Sequence, residues 1–275
     1  MKAVTNSYSK HFIALTSLFV LGNGVITAPI SNADKYNFLG FLVACVISVA
    51  VYYLCLILPI NRLTVMGIWA LALYCIADAF ITFIRFISQN LLPDTKPFLI
   101  ALPLILLLLY IGFQKEEMLF KFSLVSFFAA ASVVLFFFFS TAKDFNVSNI
   151  FINRLPSFNG FLAQLAPYLK SIVLPTVLLC IFARLNNIRN SVSVWGLAVG
   201  FVIFGLTILN SVLLFGIELS GVLDYPYSSA GSTVTFGNLF TRMDGFLYFV
   251  YLASSIVKCG VGIFTIKKSR ERLFP

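Results

Sequence analysis

Charge is what this chain has least of. Only 11% of its 275 residues are Asp, Glu, Lys or Arg, whereas soluble domains carry roughly 25%. A water-soluble fold of this size exposes too much surface for so few polar residues, because surface grows nearly as fast as mass. Histidine is down to one residue, His11, which argues against a histidine-built metal site and against a rhomboid-like Ser–His pair. The five cysteines (Cys45, Cys55, Cys75, Cys180, Cys259) all fall in apolar segments, and none forms a CxxC pair. They read as small buried hydrophobes rather than as zinc ligands or a redox dithiol. HExxH, GxSxG, a phosphate-binding glycine loop and a magnesium-type acid cluster are all missing, so nothing points to an enzyme and no cofactor is expected. Selectivity-filter glycines of the potassium-channel kind are missing too.

What the chain has instead is apolar length. Hydrophobic residues make up 60% of it, and 31 residues are Phe, four of them consecutive at Phe136–Phe139. Such a run would aggregate in water but is at ease against acyl chains. Since about 20 apolar residues in a helix span a bilayer, the sequence is read as an all-α integral membrane protein. A single membrane domain over 1–275 has about eight transmembrane helices, near 11–29, 38–58, 63–87, 97–112, 119–140, 161–183, 192–215 and 243–266. The runs are continuous and do not alternate, so a β-barrel is disfavoured. The first run follows Lys2 and Lys10 as a signal peptide would, but no cleavage signal is clear and seven more apolar segments follow; it is read as the first span.

The net charge of +9 does not describe a nucleic-acid face, because the basic residues sit singly in the gaps between apolar runs. With the N-terminus inside, eleven Lys and Arg fall on the inner side: Lys2, Lys10, Arg62, Lys115, Lys121, Arg184, Arg189, Lys267, Lys268, Arg270 and Arg272. Five fall outside: Lys35, Lys96, Lys143, Arg154 and Arg242. This asymmetry places both termini in the cytoplasm, which an even number of spans requires. Two longer stretches, 141–160 and 217–241, are then external. The second is mildly apolar, so it either re-enters the membrane or lies along its surface.

Polar features interrupt the spans. In the first, Gly22 and Gly24 flank Asn23. Glycine lets a helix depart from its geometry, and backbone groups freed in hydrocarbon must face protein or a cavity, where they can hold a substrate or ion. The other reading is that the glycines let a neighbouring helix pack closely. In the sixth, Pro175 lacks an N–H and clashes with the preceding turn, so a kink or break is expected near Ser171–Pro175, with Thr176 just beyond. Lys170 beside it either snorkels outward or pairs with an acid. Asp78 and Arg85 lie seven apart in the third span, and Lys258 lies in the eighth. A charge at bilayer centre costs about 2.5 to 3.5 kcal/mol even on mild scales, so Asp78 and Lys258 belong against protein or water, in a structural ion pair or a binding site. Gly196 and Gly200 in the seventh span have the spacing of tight helix packing.

Three short motifs carry a resemblance: Phe215-Gly216, Tyr225-Pro226, and Arg242-Met243-Asp244 leading into an aromatic-rich helix. Together with the run from Gly22 to Pro29 and with Leu91-Leu92-Pro93-Asp94-Thr95-Lys96-Pro97, they make the chain resemble the B subunits of GerA-type spore germinant receptors, within the amino-acid/polyamine/organocation transporter superfamily. The resemblance implies a five-plus-five inverted-repeat transporter fold with helices 1 and 6 broken around a central site. It implies a small nutrient ligand such as an amino acid, held by Gly22, Asn23 and Gly24 on one side and by Ser171, Pro175 and Thr176 on the other, flanked by Asp78 and Lys258. It also implies an A-type subunit and a lipoprotein C-type subunit as partners in the spore inner membrane, with no nucleic acid. Family members have ten helices; this sequence has counterparts of eight and none of helices 9 and 10, a truncated version of the fold. A cation- or proton-coupled amino-acid permease and a non-transporting scaffold subunit are the other functions open to such a chain.

Overall fold

A computed structural model describes residues 2–24, 37–59, 61–150, 158–223, 225–233 and 244–273. Among them the structure is helical, with ten α-helices: α1 Lys2–Gly24, α2 Asn37–Ile57, α3 Arg62–Asn90, α4 Pro97–Phe113, α5 Glu116–Thr141, α6 Phe158–Tyr168, α7 Leu174–Leu185, α8 Asn190–Val222, α9 Pro226–Thr233 and α10 Asp244–Leu273. Six segments are long and apolar enough to cross a membrane, one of them running from α6 into α7; two apolar helices, Ser9–Gly22 and Pro97–Phe113, are shorter. The helices begin where local chemistry favours it. The Asn61 N–H donates to Thr64 Oγ1 (2.6 Å) at the start of α3. Pro97 opens α4, where its missing N–H costs nothing. Glu116 and Glu117 lie in the first turn of α5, at the positive end of its dipole.

The helices are not equivalent. In α10, 78% of the apolar window is buried, against 28% in α3 and in α5; α10 and the buried α1 form the centre, with α3 and α5 on the wall. Helix α10 packs on α1, α3, α5 and α7, and α1 lies between α8, α5 and α10. The outward faces of α2 to α5 carry exposed Leu, Phe and Val side chains such as Val46, Leu73, Phe98 and Val125. An exposed apolar wall on this scale fits lipid as its solvent.

Small residues set how closely these helices approach. A Cβ on Gly196 would sit 1.8 Å from Thr16 Oγ1, and one on Gly200 would sit 3.0 Å from Val20 Cβ. The tight packing read from the Gly196–Gly200 spacing is therefore the α1–α8 contact, with the Ser17 hydroxyl within hydrogen-bonding distance of Gly196 O (2.8 Å) and of Ile13 O (2.8 Å). Gly262 does the same between α10 and α3, where a Cβ would meet Ile76 Cγ1 at 2.6 Å.

Side chains tie the helix ends into an alternating up-and-down bundle. At one end Arg184 of α7 donates to Cys55 O and Leu58 O (2.9 and 2.7 Å), capping α2. Arg272 of α10 donates to Leu185 O (3.1 Å), capping α7. Both satisfy carbonyls that a helix end leaves without intrahelical partners. Lys268 pairs with Glu116 (2.6 Å) and donates to Asn186, joining α10, α5 and the α7–α8 turn. Trp69 Nε1 donates to Ser269 Oγ (2.8 Å). Because Lys268 and Glu116 are both largely shielded, Lys268→Met should lower stability by about 1 kcal/mol, seen as a fall in the thermal midpoint in nanodiscs.

At the other end the helices close on aromatic rings. Phe86 touches Tyr225, Tyr248 and Tyr251 with centroids 5.1 to 5.3 Å apart, and Tyr225 donates its hydroxyl to Gln89 Oε1 (2.6 Å). The stretch expected to re-enter or to lie on the surface folds back as α9: Tyr227 is buried, its ring stacks edge-on to Phe137, and its hydroxyl reaches Val134 O (3.4 Å). Residues 234–243, including the Arg242-Met243 part of the third motif, lie outside the described residues.

The Phe215-Gly216 pair marks a kink in α8. Gly216 has φ +73°, the left-handed region that favours glycine. The turn exposes Leu213 O, which accepts from Asn146 N (3.0 Å) and Asn149 Nδ2 (3.1 Å), so the start of the 141–160 stretch is docked on it. Gly216→Ala should cost roughly 1 to 2 kcal/mol through backbone strain alone, against no comparable loss for Gly67→Ala, whose Cβ would meet nothing within 4 Å. Paired melting curves check this.

Candidate functional site

Of the interruption expected at Gly22–Gly24 in the first span, only the helical side is described, because α1 ends at Gly24. Backbone geometry is helical through Gly22, Asn23 and Gly24; residues 25–29 of the expected span lie outside the described residues, as does the side-chain environment of Asn23. Gly22 is buried for the other reason considered, close approach. A Cβ on it would lie 2.9 Å from Ser254 Cβ and 3.0 Å from Lys258 Cε. Thus α1 is pressed on α10 beside the one lysine the sequence placed deep in the eighth span.

Lys258 is 3% exposed, and among the described residues its Nζ has no hydrogen-bond partner. Its surroundings are the Phe19 ring (Nζ 5.8 Å from the centroid) and Gly22 and Ser254. The carboxylate whose charge bears on it is Asp78, and the thiols of Cys75 and Cys259 are the other titratable groups near it. An ammonium removed from water is costly unless paired; the cation–π contact offsets only part of that cost.

The sixth span is where the expected distortion appears. Between α6 and α7 the chain makes a π turn, Leu169–Val173, closed by Leu174 N–H donating to Leu169 O. Pro175 cannot donate to Ser171 O in the usual register, and one wider turn absorbs the misfit. The turn carries Lys170 towards α3, where its Nζ lies 3.6 Å from Asp78 Oδ1. Of the two fates considered for Lys170, pairing with an acid is the one observed, and the nearby Tyr74 phenol adds to it electrostatically. Arg85, seven residues beyond Asp78, is exposed on α3.

Part of the set singled out from the sequence, Gly22, Asp78, Lys170, Ser171 and Lys258, falls into one connected region. Gly22 touches Lys258, and Asp78 joins Lys170, next to half-buried Ser171, while its charge also reaches Lys258. Among the described residues Ser171 Oγ makes one long contact, to Tyr168 O (3.4 Å). Pro175 and Thr176 are buried, but the Thr176 hydroxyl donates to Ile172 O (2.8 Å) inside its own helix. Phe19, Tyr74, Cys75 and Ser254 were not singled out. Three of them had a usable signal: Tyr74 and Cys75 precede Asp78 by four and three residues, and Ser254 precedes Lys258 by four, the spacings that share a helix face.

Chemically, this is a polar cluster that runs from the bundle interior to its outer face: the buried Lys258 ammonium, the Asp78 carboxylate, and the exposed Lys170 ammonium and Tyr74 phenol, with small hydroxyls and thiols nearby. Compared with known proteins, the chain matches no family model, and no curated protein or solved structure matches it at significant similarity.

Proposed function

We propose that this protein is a nutrient-sensing subunit of a spore germinant receptor of the GerA B type, which binds a small solute such as an amino acid within the membrane. The observation that carries the reading is Lys258: an ammonium buried at the crossing of α1, α3 and α10, with no hydrogen-bond partner among the described residues. An amino acid would place its carboxylate on Lys258 and its ammonium towards Asp78. Binding that favours one packing of the bundle by 1.4 kcal/mol changes the populations tenfold, and A-type and lipoprotein C-type partners would read that difference. The site would be flanked by Gly22, Asn23 and Gly24 on α1 and by Ser171, Pro175 and Thr176 along the sixth span.

The order of packing supports an inverted repeat truncated to eight spans. Counting α6, the π turn and α7 as span six, α8 as seven and α10 as eight, span one packs on seven and two on six; span one packs on eight and three on six. Each pair maps onto the other when the first five helices are exchanged with the next five, as an inverted repeat requires. The Lys and Arg excess at the end holding Arg62, Lys115, Arg184 and Lys268 supports cytoplasmic termini in the spore inner membrane.

Deletion of the gene in its sporulating host, followed by exposure of the spores to single nutrients, tests the role. Loss of response to one nutrient is expected; an unchanged response to every nutrient contradicts it. Vesicles with labelled amino acids separate sensing from a cation- or proton-coupled permease: saturable binding without accumulation is expected, and accumulation means transport. A scaffold subunit would tolerate replacement of Asn23 and Asp78 without a germination defect.

A further inference from the structure

The Lys170–Asp78 pair is out of place for a lipid-facing wall. At 1.5 Å per residue, each member lies roughly 18 Å from the outer end of its helix series, near the middle of the membrane. Yet Lys170 is 61% exposed at the side chain and Asp78 is 27% exposed. The surfaces around the pair are apolar and open: Leu73, Ala77 and Ile81 on α3, Ala166 and Leu174 on the sixth span. They form the outward stripes of two adjacent helices, and the ion pair sits at their seam. Hydrocarbon solvates neither charge. Lys170 Nζ lies 3.6 Å from Asp78 Oδ1, an ion pair longer than a hydrogen bond, so the ammonium keeps N–H groups to donate.

The geometry points to this seam as the docking groove for one transmembrane helix of a partner protein, a helix that presents an acceptor side chain, amide or carboxylate, at mid-membrane to Lys170. Two features of the groove fit that occupant. Ala77 and Ala166 are small and exposed, so a helix backbone can come close. The charge is complementary to an acceptor, with a spare N–H at bilayer depth and apolar side chains above and below. Lys258 is shut inside the bundle, whereas Lys170 faces outward; Asp78 is shared with the proposed solute site, so the peptide is tested without added solute.

The test uses the full chain in liposomes and a synthetic leucine–alanine transmembrane helix of about 20 residues with either Gln or Leu at its centre. Energy transfer between labelled protein and labelled peptide gives the association constants. The Gln peptide should bind at least about fivefold more tightly than the Leu peptide. Lys170→Met should erase the difference, whereas Lys170→Arg, which keeps the donors, should retain it. Equal binding of the two peptides overturns the proposal. Energy transfer between two labelled copies of the chain without peptide overturns it in favour of self-association. Rapid reaction of a Lys170→Cys variant with a membrane-impermeant sulfonate thiol reagent overturns it in favour of a water-filled crevice.

Discussion

Gly196→Val should cost this protein about 3 kcal/mol, the upper end of what overpacking inflicts on a filled interior. The reason lies in a single distance. A Cβ on Gly196 would stand 1.8 Å from Thr16 Oγ1 and 2.7 Å from Thr16 Cβ, with Ile13 O at 3.1 Å. The obstacle is not a flexible chain end but a threonine on the neighbouring helix, whose hydroxyl is already bonded to Phe12 O (2.6 Å). Relief requires α8 to move away from α1, which breaks the Ser17–Gly196 contact and opens the interface at Gly200 as well. Gly67→Val is the matched control, since nothing lies within 4 Å of its would-be Cβ. Melting of both variants in nanodiscs checks this. A large fall for Gly196→Val and a small one for Gly67→Val are expected, and similar small shifts would mean that α1 and α8 are not in register as described.

Lys258→Met should change stability and function in opposite directions. The lysine is buried without a hydrogen-bond partner among the described residues, so replacing it with an unbranched apolar side chain of similar length removes a desolvated charge and keeps the packing against Phe19 and Gly22. Exchanges of buried ionic groups for well-packed apolar ones are often neutral or stabilising by roughly 1 to 4 kcal/mol. The melting point should therefore hold or rise. If Lys258 anchors the solute, spores carrying the variant should nevertheless lose the response that gene deletion removes. A variant that fails to fold would make the amine a structural element; one that folds and germinates normally would remove the centre from the sensing role. Lys258→Arg, larger in a site where Gly22 is already in contact, should lower both stability and response.

How much of this was legible in the sequence follows from what each residue answers to. Apolar run length answers to bilayer thickness alone, so the spans near 38–58, 63–87 and 119–140 coincide with α2, α3 and α5 to within a few residues. Pro175 acts on its own helix through a missing N–H, and the distortion it demands appears at Leu169–Val173. Gly22 answers to its neighbours instead. A glycine beside an amide reads equally as a break or as a contact, and only the position of Ser254 and Lys258 on α10, more than 200 residues away in sequence, selects the contact. Asp78 posed the same difficulty. Its seven-residue spacing to Arg85 suggested a shared face on α3, but the charge it meets at 3.6 Å comes from the π turn, and no periodicity within α3 can report a partner on another helix. The α9 stretch was read as re-entrant or surface-lying, and a contact on another helix separates the two: Tyr227 is buried with its ring against Phe137 of α5.

Everything above depends on lipid as the solvent of the outer wall, and membrane extraction probes that directly. Membranes holding the full chain are washed at alkaline pH, then treated with a mild detergent, and each fraction is sized. The protein should stay in the washed pellet, enter solution only with detergent, and precipitate when the detergent is removed without lipid. Release by the alkaline wash into a folded, monodisperse species in detergent-free buffer would contradict a lipid-embedded bundle, and with it the buried polar centre at Lys258.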